Sequence, residues 1–438
     1  MNKKLYIFFI VFGLMVIIVP VKADWGMYQG DASHDGVAYF QPIYNPTLLW
    51  NESSNTVFSS PIISQGVVYV GANNSRMYAL NETTGLIIWS FLTDSAILTT
   101  PCIGFNHIFF GTQTGKLYSI YKDNGSLSWV YSTGSAIIGS PIINLNTQIV
   151  YVGSNNCNIY AFNAINGSII WSKFMSSQIN ISPIEYNGIL YFGTNANGFY
   201  ALNSINGSTI WSYGLMQIIN GQQITYKPCS ATINNGIIFF GTQKPTNATN
   251  GFFYALNANT GLQIWNYSIA TSVNNCPTAY NGVVYVGSSD SNVYALSVYD
   301  GSLVWKDATN APIVSPSILV SNVLYIGSTD GIIYAVNSNN GVEIWVYNIG
   351  KPIISAFAVD NDLLYFAVAD PSTGVLALTQ LQEESASPTV TPITTGTGYN
   401  NIISFMGTSS TDIQFLIIGV IVVMMFLGIG LIIKRRRN

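Results

Sequence analysis

The chain has little charge. Only 8% of its 438 residues are Asp, Glu, Lys or Arg, against about a quarter in an ordinary soluble domain, so an ionic surface network cannot be what organises it. Basic residues are the scarcer kind. Between residues 24 and 412 there are 8 Lys and Arg against 19 Asp and Glu, net −11, a balance that repels nucleic acid and excludes it as a partner. Cysteine is rare too, with Cys102, Cys157, Cys229 and Cys276 the full set. No two of them form a Cys-x-x-Cys, which removes zinc and dithiol-redox readings. His34 and His107 are the two histidines; neither has a partner at metal-ligand spacing, so both read as structural or exposed. Long stretches with a helical period are missing from the body, which makes it all-β.

Apolar runs are concentrated at the two ends. Lys3 and Lys4 precede an uncharged run at 5–19 and small residues at Val21 and Ala23, the layout of a secretory signal peptide over 1–23. Residues 413–433 carry no charge and lead into Lys434, Arg435, Arg436 and Arg437. About 20 apolar residues span a bilayer as a helix, and the basic tail at 434–438 holds the cytoplasmic side. The expectation is a single-pass plasma-membrane protein whose body faces the extracytoplasmic side. Residues 380–412, rich in Ser, Thr, Pro and Gly at 385–398, form a flexible stalk. The body is then 24–379.

That body is a repeat. The phrase that begins Tyr78-Ala79-Leu80, passes Gly85 and ends at Trp89 returns at Tyr160 to Trp171, Tyr200 to Trp211, Tyr254 to Trp265, Tyr294 to Trp305 and Tyr334 to Trp345, with a looser copy from Tyr118 to Trp129. Each full unit has four short β-branched and aromatic runs, as in Pro141-Ile142-Ile143, Ile149-Val150-Tyr151-Val152, Ile159-Tyr160-Ala161-Phe162 and Ile169-Ile170-Trp171. Asn-Gly pairs such as Asn187-Gly188 and Asn166-Gly167 supply the tight turns between them. Trp50, Trp89, Trp129, Trp171, Trp211, Trp265, Trp305 and Trp345 recur about every 40 residues apart from one wider gap, the length of a four-stranded propeller blade. A last unit ending near Leu378 lacks its Trp strand, and the orphan strand at Trp50 supplies it. The predicted fold is an eight-bladed β-propeller closed by that strand, which leaves no open edge. A Trp in the same place in every unit is read as a packing wedge rather than a stacking platform.

The phrase Ala-x-Asn-x-x-x-Gly-x-x-x-Trp, as in Ala161, Asn163, Gly167 and Trp171, resembles the repeat of pyrroloquinoline-quinone-like (quinoprotein alcohol dehydrogenase-like) β-propellers, with Asn replacing the usual Asp. The Ser-Pro and Tyr-Val-Gly-Ser elements and the lead-in at Trp25 are similar as well, so the resemblance covers 25–378. It implies the propeller fold. The family holds quinone-dependent alcohol dehydrogenases, the lipoprotein of outer-membrane barrel assembly, and surface proteins that bind no quinone. Its enzymes have a vicinal Cys-Cys pair, a Trp beneath the quinone, and Glu, Asn and Asp around calcium. This sequence has no adjacent cysteines, and Glu185 is the one carboxylate close to a Ser-Pro element. The expectation is therefore a non-catalytic binding or scaffold module for envelope proteins or glycans, without a cofactor. The alternative is a dehydrogenase holding the quinone and calcium in a non-standard site.

What departs from the repeat is where function is sought. The wide gap before Trp265 comes from residues 215–227 and the insertion 244–250, with Gln222, Gln223, Tyr226, Lys227, Lys244 and Asn247 as a candidate interaction rim. Strand order places Cys102 near Cys157 and Cys229 near Cys276, the expected disulfides. Asp290 and Asp330 replace Asn where the second and third strands of a unit join and read as turn chemistry rather than calcium ligands. Asn-x-Ser/Thr triplets begin at Asn51, Asn73, Asn81, Asn124, Asn166, Asn180, Asn206, Asn247 and Asn266, glycan acceptors in an exported chain. With few carboxylates to protonate, stability is expected to vary weakly with pH.

Overall fold

Short β-branched runs punctuated by Asn-Gly make antiparallel meanders, and the third repeat is typical. Its strands a (Ile142–Asn144), b (Ile149–Gly153), c (Asn158–Asn163) and d (Ile169–Phe174) pair in sequence order. Ala161 lies opposite Trp171, and the register then slips so that Phe162 faces Ile169. The extra residue is a bulge that adds twist to the outer strand, and the same slip recurs at Ala79, Ala201, Ala255, Ala295 and Ala335. The computed structural model describes residues 25–380 apart from 55, 57, 197, 220, 221, 247 and 361. The expected signal peptide (1–23), stalk (380–412, save residue 380), membrane span (413–433) and basic tail (434–438) fall outside the described residues. Among the described residues no helix is long and apolar enough to cross a membrane.

Seven such sheets follow along the chain. The eighth takes strands a to c from Ala358–Asp360, Leu363–Ala367 and Val375–Gln380, and its strand d from Pro46–Glu52. Trp50 sits opposite Ala377. The ring is thus closed by the orphan strand, as the repeat phase predicts, and strand c of blade 8 ends one residue beyond the expected boundary at 379.

The tryptophans join one blade to the next. The Trp171 indole N–H donates to the Ser204 carbonyl at 2.9 Å, Trp265 to Val298 at 2.9 Å and Trp305 to Ser338 at 2.8 Å. In each case the acceptor precedes the c–d turn of the following blade, whose glycine lies against the indole. A Cβ on Gly167 would fall 2.5 Å from Trp129, and one on Gly341 2.7 Å from Trp305. Those glycines also hold φ near +70°, so they serve close approach and a left-handed turn together. Blade 8 has no c–d turn to receive Trp345. Ile43 of the lead-in replaces it, accepting from Trp345 Nε1 at 2.6 Å while its N–H donates to Tyr325 Oη at 2.8 Å.

Candidate functional site

Antiparallel order puts the a–b hairpins and c–d turns at one end of the ring, here the hairpin end, and the b–c turns and d–a connections at the other, the entry end. The a strands surround the axis, and the lead-in occupies it. Trp25 N donates to Ile63 O at 2.9 Å in blade 1, Ile103 N to Gly26 O at 2.8 Å in blade 2, Glu185 N to Ala32 O at 2.9 Å in blade 4 and Ile233 N to Ser33 O at 3.1 Å in blade 5. Leu319 N then donates to Gly36 O at 2.9 Å, and Val37–Ala38 joins the sheet of blade 7 in parallel. A segment without side-chain periodicity is held by backbone bonds to the inner strands.

This lead-in carries buried polar groups. His34 is fully buried at φ +58°, edge-on to Tyr28 with ring centroids 5.1 Å apart. Neither ring nitrogen makes a close hydrogen bond, the Ala231 backbone giving only a weak one. Burial pushes the imidazole down to about 3, and the Ala231 backbone offsets this only in part. Burial, with Cys276 and Cys229 nearby, raises the Tyr28 phenol well above its usual range. His107 is also buried rather than exposed, its Nδ1 2.7 Å from Phe105 O and its Nε2 3.2 Å from Ser128 Oγ.

The inner-strand starts offer hydroxyls, thiols and amides, and these are committed to joining blades. Ser140 Oγ accepts from Thr100 N at 2.9 Å, Ser182 Oγ from Ser140 N at 2.9 Å, and Ser60 Oγ from Ala356 N at 2.8 Å. Glu185, raised by burial, is bonded to Gly188 N and Asn144 Nδ2 at 2.8 Å each. Among the described residues no group of three or more His, Cys, Asp and Glu is placed to hold a metal ion. Such a donor set does not fit a calcium-bound quinone. Asp290 and Asp330 cap their b–c turns, each accepting from the Tyr four residues on, at 2.6 and 2.7 Å.

All four cysteines are free thiols, which corrects the expected pairs. Cys102 is buried among Met27, Phe109, Ile143 and Val150, whereas Cys157 sits in a b–c turn at φ +69° with its Sγ toward Asn155 O. Cys229 and Cys276 are neighbours, yet each thiol donates to a carbonyl, Val273 O at 2.8 Å and Ala231 O at 3.2 Å. Burial lifts the Cys229 thiol to about 12, and lifts Cys102 and Cys276 further. Alkylation of the native protein with iodoacetamide should therefore modify half-exposed Cys157 alone, since the thiolate is the nucleophile. Equal labelling of all four, read by peptide mass spectrometry, would contradict this placement.

The fifth-blade rim emerges at the entry end, but not every expected residue lies on it. Met216–Ile219 and Gln222–Thr225 form a separate hairpin, with Gln222, Gln223 and Lys227 exposed and Lys244 half-buried. Asn247 lies outside the described residues. Tyr226 is fully buried, packed edge-on against Phe252 at 5.4 Å in one cluster with Leu215, Ile224 and Ala248. It is the anchor of the insertions, not their contact surface, because Leu215, Ile224 and Ala248 need an apolar partner to close over.

A cavity at the hairpin end escaped the sequence reading. It has a volume of about 450 Å³ and lies between Asp35 and Tyr39 of the lead-in, the a–b hairpins carrying Asn234, Asn235, Tyr280 and Gly282, and Tyr299 in the c–d turn of blade 6. Drug-sized ligands take about 300–1,000 Å³. Tyr39 and Tyr299 are 75% and 76% exposed, so two aromatic rings present faces to solvent at the mouth. Tyr39 meets Tyr280 edge-on at 6.1 Å, and Gly282 serves the a–b turn at φ +81°, since a Cβ there would meet the Tyr299 ring only at ordinary contact distance, 3.4 Å. Asn235 Nδ2 donates to Asn234 Oδ1 at 2.9 Å. Burial, then Asp31, raises Asp35 to about 6, while its Oδ1 accepts from Val37 N at 3.0 Å. The site thus combines aromatic faces, amides and one carboxyl that changes protonation in mild acid. The unusual signal in the sequence is Tyr299, a large aromatic where the turns of blades 3 and 4 have Ile165 and Ile205.

A ring of these repeats defines the class of quinoprotein-like β-propellers. The family described as outer membrane protein assembly factor BamB matches residues 45–213 and 223–381, and the chain belongs to that family. Similar solved structures include BamB from Moraxella catarrhalis, at 16% identity over 77% of this chain and 100% of that one, with a TM-score of 0.61. The quinohemoprotein alcohol dehydrogenase from Comamonas testosteroni is 14% identical over 86% and 83% of the two chains, with a TM-score of 0.69. The computationally designed Ika8 protein is 15% identical over 76% and 98%, at 0.63. At these identities the likeness is one of fold. No curated protein sequence matches the chain.

Proposed function

We propose that the protein is a non-catalytic binding module, held at the plasma membrane by residues 413–433 with its propeller on the extracytoplasmic side, and that the cavity between blades 5 and 6 takes a sugar of an envelope glycan. The observation that carries this reading is the exposed pair Tyr39 and Tyr299 beside Asn234, Asn235 and Asp35. Flat aromatic faces cover the C–H faces of a sugar ring, while amides and a carboxyl meet its hydroxyls in both donor and acceptor roles. The entry-end hairpin is the second surface, suited to a protein partner, which agrees with a family named for protein assembly.

The test is a titration of the full-length chain in detergent with neutral oligosaccharides, followed by tyrosine fluorescence. Tyr299→Ala should weaken binding at least tenfold, about 1.4 kcal/mol, without shifting the melting temperature, because the ring is exposed. Unchanged affinity would remove the cavity from the account. Protease treatment of intact cells tests the placement: the propeller should be reachable from outside, and full protection would contradict it.

A further inference from the structure

We infer that the c–d turns of blades 2, 3 and 4 carry N-linked glycans at Asn124, Asn166 and Asn206. The three triplets Asn124-Gly125-Ser126, Asn166-Gly167-Ser168 and Asn206-Gly207-Ser208 occupy the same turn position in consecutive blades, and all three asparagines are exposed at the hairpin end. The side-chain carbonyl is used by the turn: Asn124 Oδ1 accepts from Ser126 N at 2.9 Å and Ser126 Oγ at 2.7 Å, and Asn166 Oδ1 from Ser168 N at 3.0 Å and Oγ at 2.8 Å. Asn206 Oδ1 accepts from Ser208 N at 2.9 Å. The amide nitrogen, the atom that would bear the sugar, takes no part in these bonds.

Two other blades separate turn chemistry from acceptor chemistry. In blade 6, Asp300 replaces Asn and accepts from Ser302 N at 3.1 Å and Oγ at 2.7 Å, so the turn does not need the amide. In blade 7, Val342 replaces Ser and still donates its N–H to Asn340 Oδ1 at 3.1 Å, so the turn does not need the hydroxyl. Blades 2 to 4 hold both together, where the turn requires neither, and an acceptor site requires both. The other described triplets do not sit at the Asn-Gly-Ser position of a c–d turn: Asn81 ends strand c of blade 1 half-buried, although its Oδ1 likewise accepts from Thr83 N at 3.1 Å and Thr83 Oγ1 at 2.8 Å. Asn180 is half-buried on the approach to an inner strand with its Oδ1 sealed off, Asn73 is tied to Thr56, and Asn51 and Asn266 lie within paired outer strands.

In the transfer, a bond forms between Asn Nδ2 and C1 of a sugar donated as a polyprenyl-diphosphate oligosaccharide. The C1–O bond to the diphosphate breaks, the diphosphate leaves with the electron pair, and the amide proton passes to a base of the transferase. Sugars would then cover the hairpin end over blades 2 to 4 and leave blades 5 and 6, with their cavity, bare.

The inference rests on export, so the experiment imposes it. The full-length chain is secreted behind a host signal in an N-glycosylating host and read by intact-glycopeptide mass spectrometry. Glycans are expected at Asn124, Asn166 and Asn206 and not at Asn180, and Asp300→Asn should add one at residue 300. Bare turns at 124, 166 and 206, beside a modified co-secreted glycoprotein, would overturn the assignment whatever the native location of the chain. So would modification of Asn180 to the same extent.

Discussion

Trp305→Ala should lower the stability of the ring by about 3–5 kcal/mol, the range for deleting a large buried aromatic. The indole is 8% exposed, stands 5.8 Å from the Tyr285 ring and donates to Ser338 O across the joint between blades 6 and 7. Truncation opens a void along the whole wedge, because rigid sheets on both sides cannot collapse into it. Trp305→Phe keeps part of the packing and loses the N–H donor, so it should cost less. The partner variant is Gly341→Ala. Its Cβ would strike the indole at 2.7 Å and its φ is +74°, so alone it pays for both collision and a left-handed backbone, the latter about 1–2 kcal/mol. In the double variant the collision disappears, and the two losses should sum to more than the double variant shows. Strict additivity in urea denaturation would mean that the Trp and the Gly do not form one joint.

His34→Asn should turn a level pH profile of stability into one that rises on acidification. His34 titrates near 3 folded against about 6.5 unfolded, so between those values the unfolded chain holds more protons and stability falls on acidification, by about 1.4 kcal/mol per unit and about 5 kcal/mol in all. Asp35 runs the other way. Its folded value of about 6 lies above the usual 3.9, so the folded chain holds more protons between them, and acidification adds about 3 kcal/mol. Glu185 is raised in the same direction. The opposing effects nearly cancel from pH 6 to 4, which leaves a flat profile there and a fall below 4. Asp370, held down to about 2 by Lys351 and Ser372, loses its contribution over the same acid range. Asn tolerates positive φ, so the variant keeps the turn and removes the titration; it should gain stability from pH 6 to 4 where the parent stays level. A level profile in the variant would show that His34 is not the balancing group. The weak pH dependence expected from scarce charge is thus refined into a balance between two adjacent residues.

How much could be read from the chain follows from what kind of contact each part makes. The blades are legible because Trp, Ala and Gly do the same job in each repeat, and the phase of that repeat alone places the Trp50 strand in blade 8. The axial lead-in is not legible. Its hold on the inner strands is through backbone N–H and C=O groups, which every residue carries, so Trp25 to Gly36 shows no periodicity to detect. Tyr226 looked like a surface residue because Gln222, Gln223 and Lys227 flank it, and only the meeting of two insertions at Ala248 explains its burial. The cavity gathers residues from positions as distant as Asp35 and Tyr299, which only ring closure brings together.

The most direct measurement is equilibrium binding of the full-length protein to envelope glycan freed of protein, comparing the parent with Tyr39→Ala/Tyr299→Ala. The parent should bind saturably, and the double variant, equally stable, should lose at least tenfold in affinity, about 1.4 kcal/mol. Equal binding by both, or none by the parent, would contradict the assignment of the cavity between blades 5 and 6 as the ligand site.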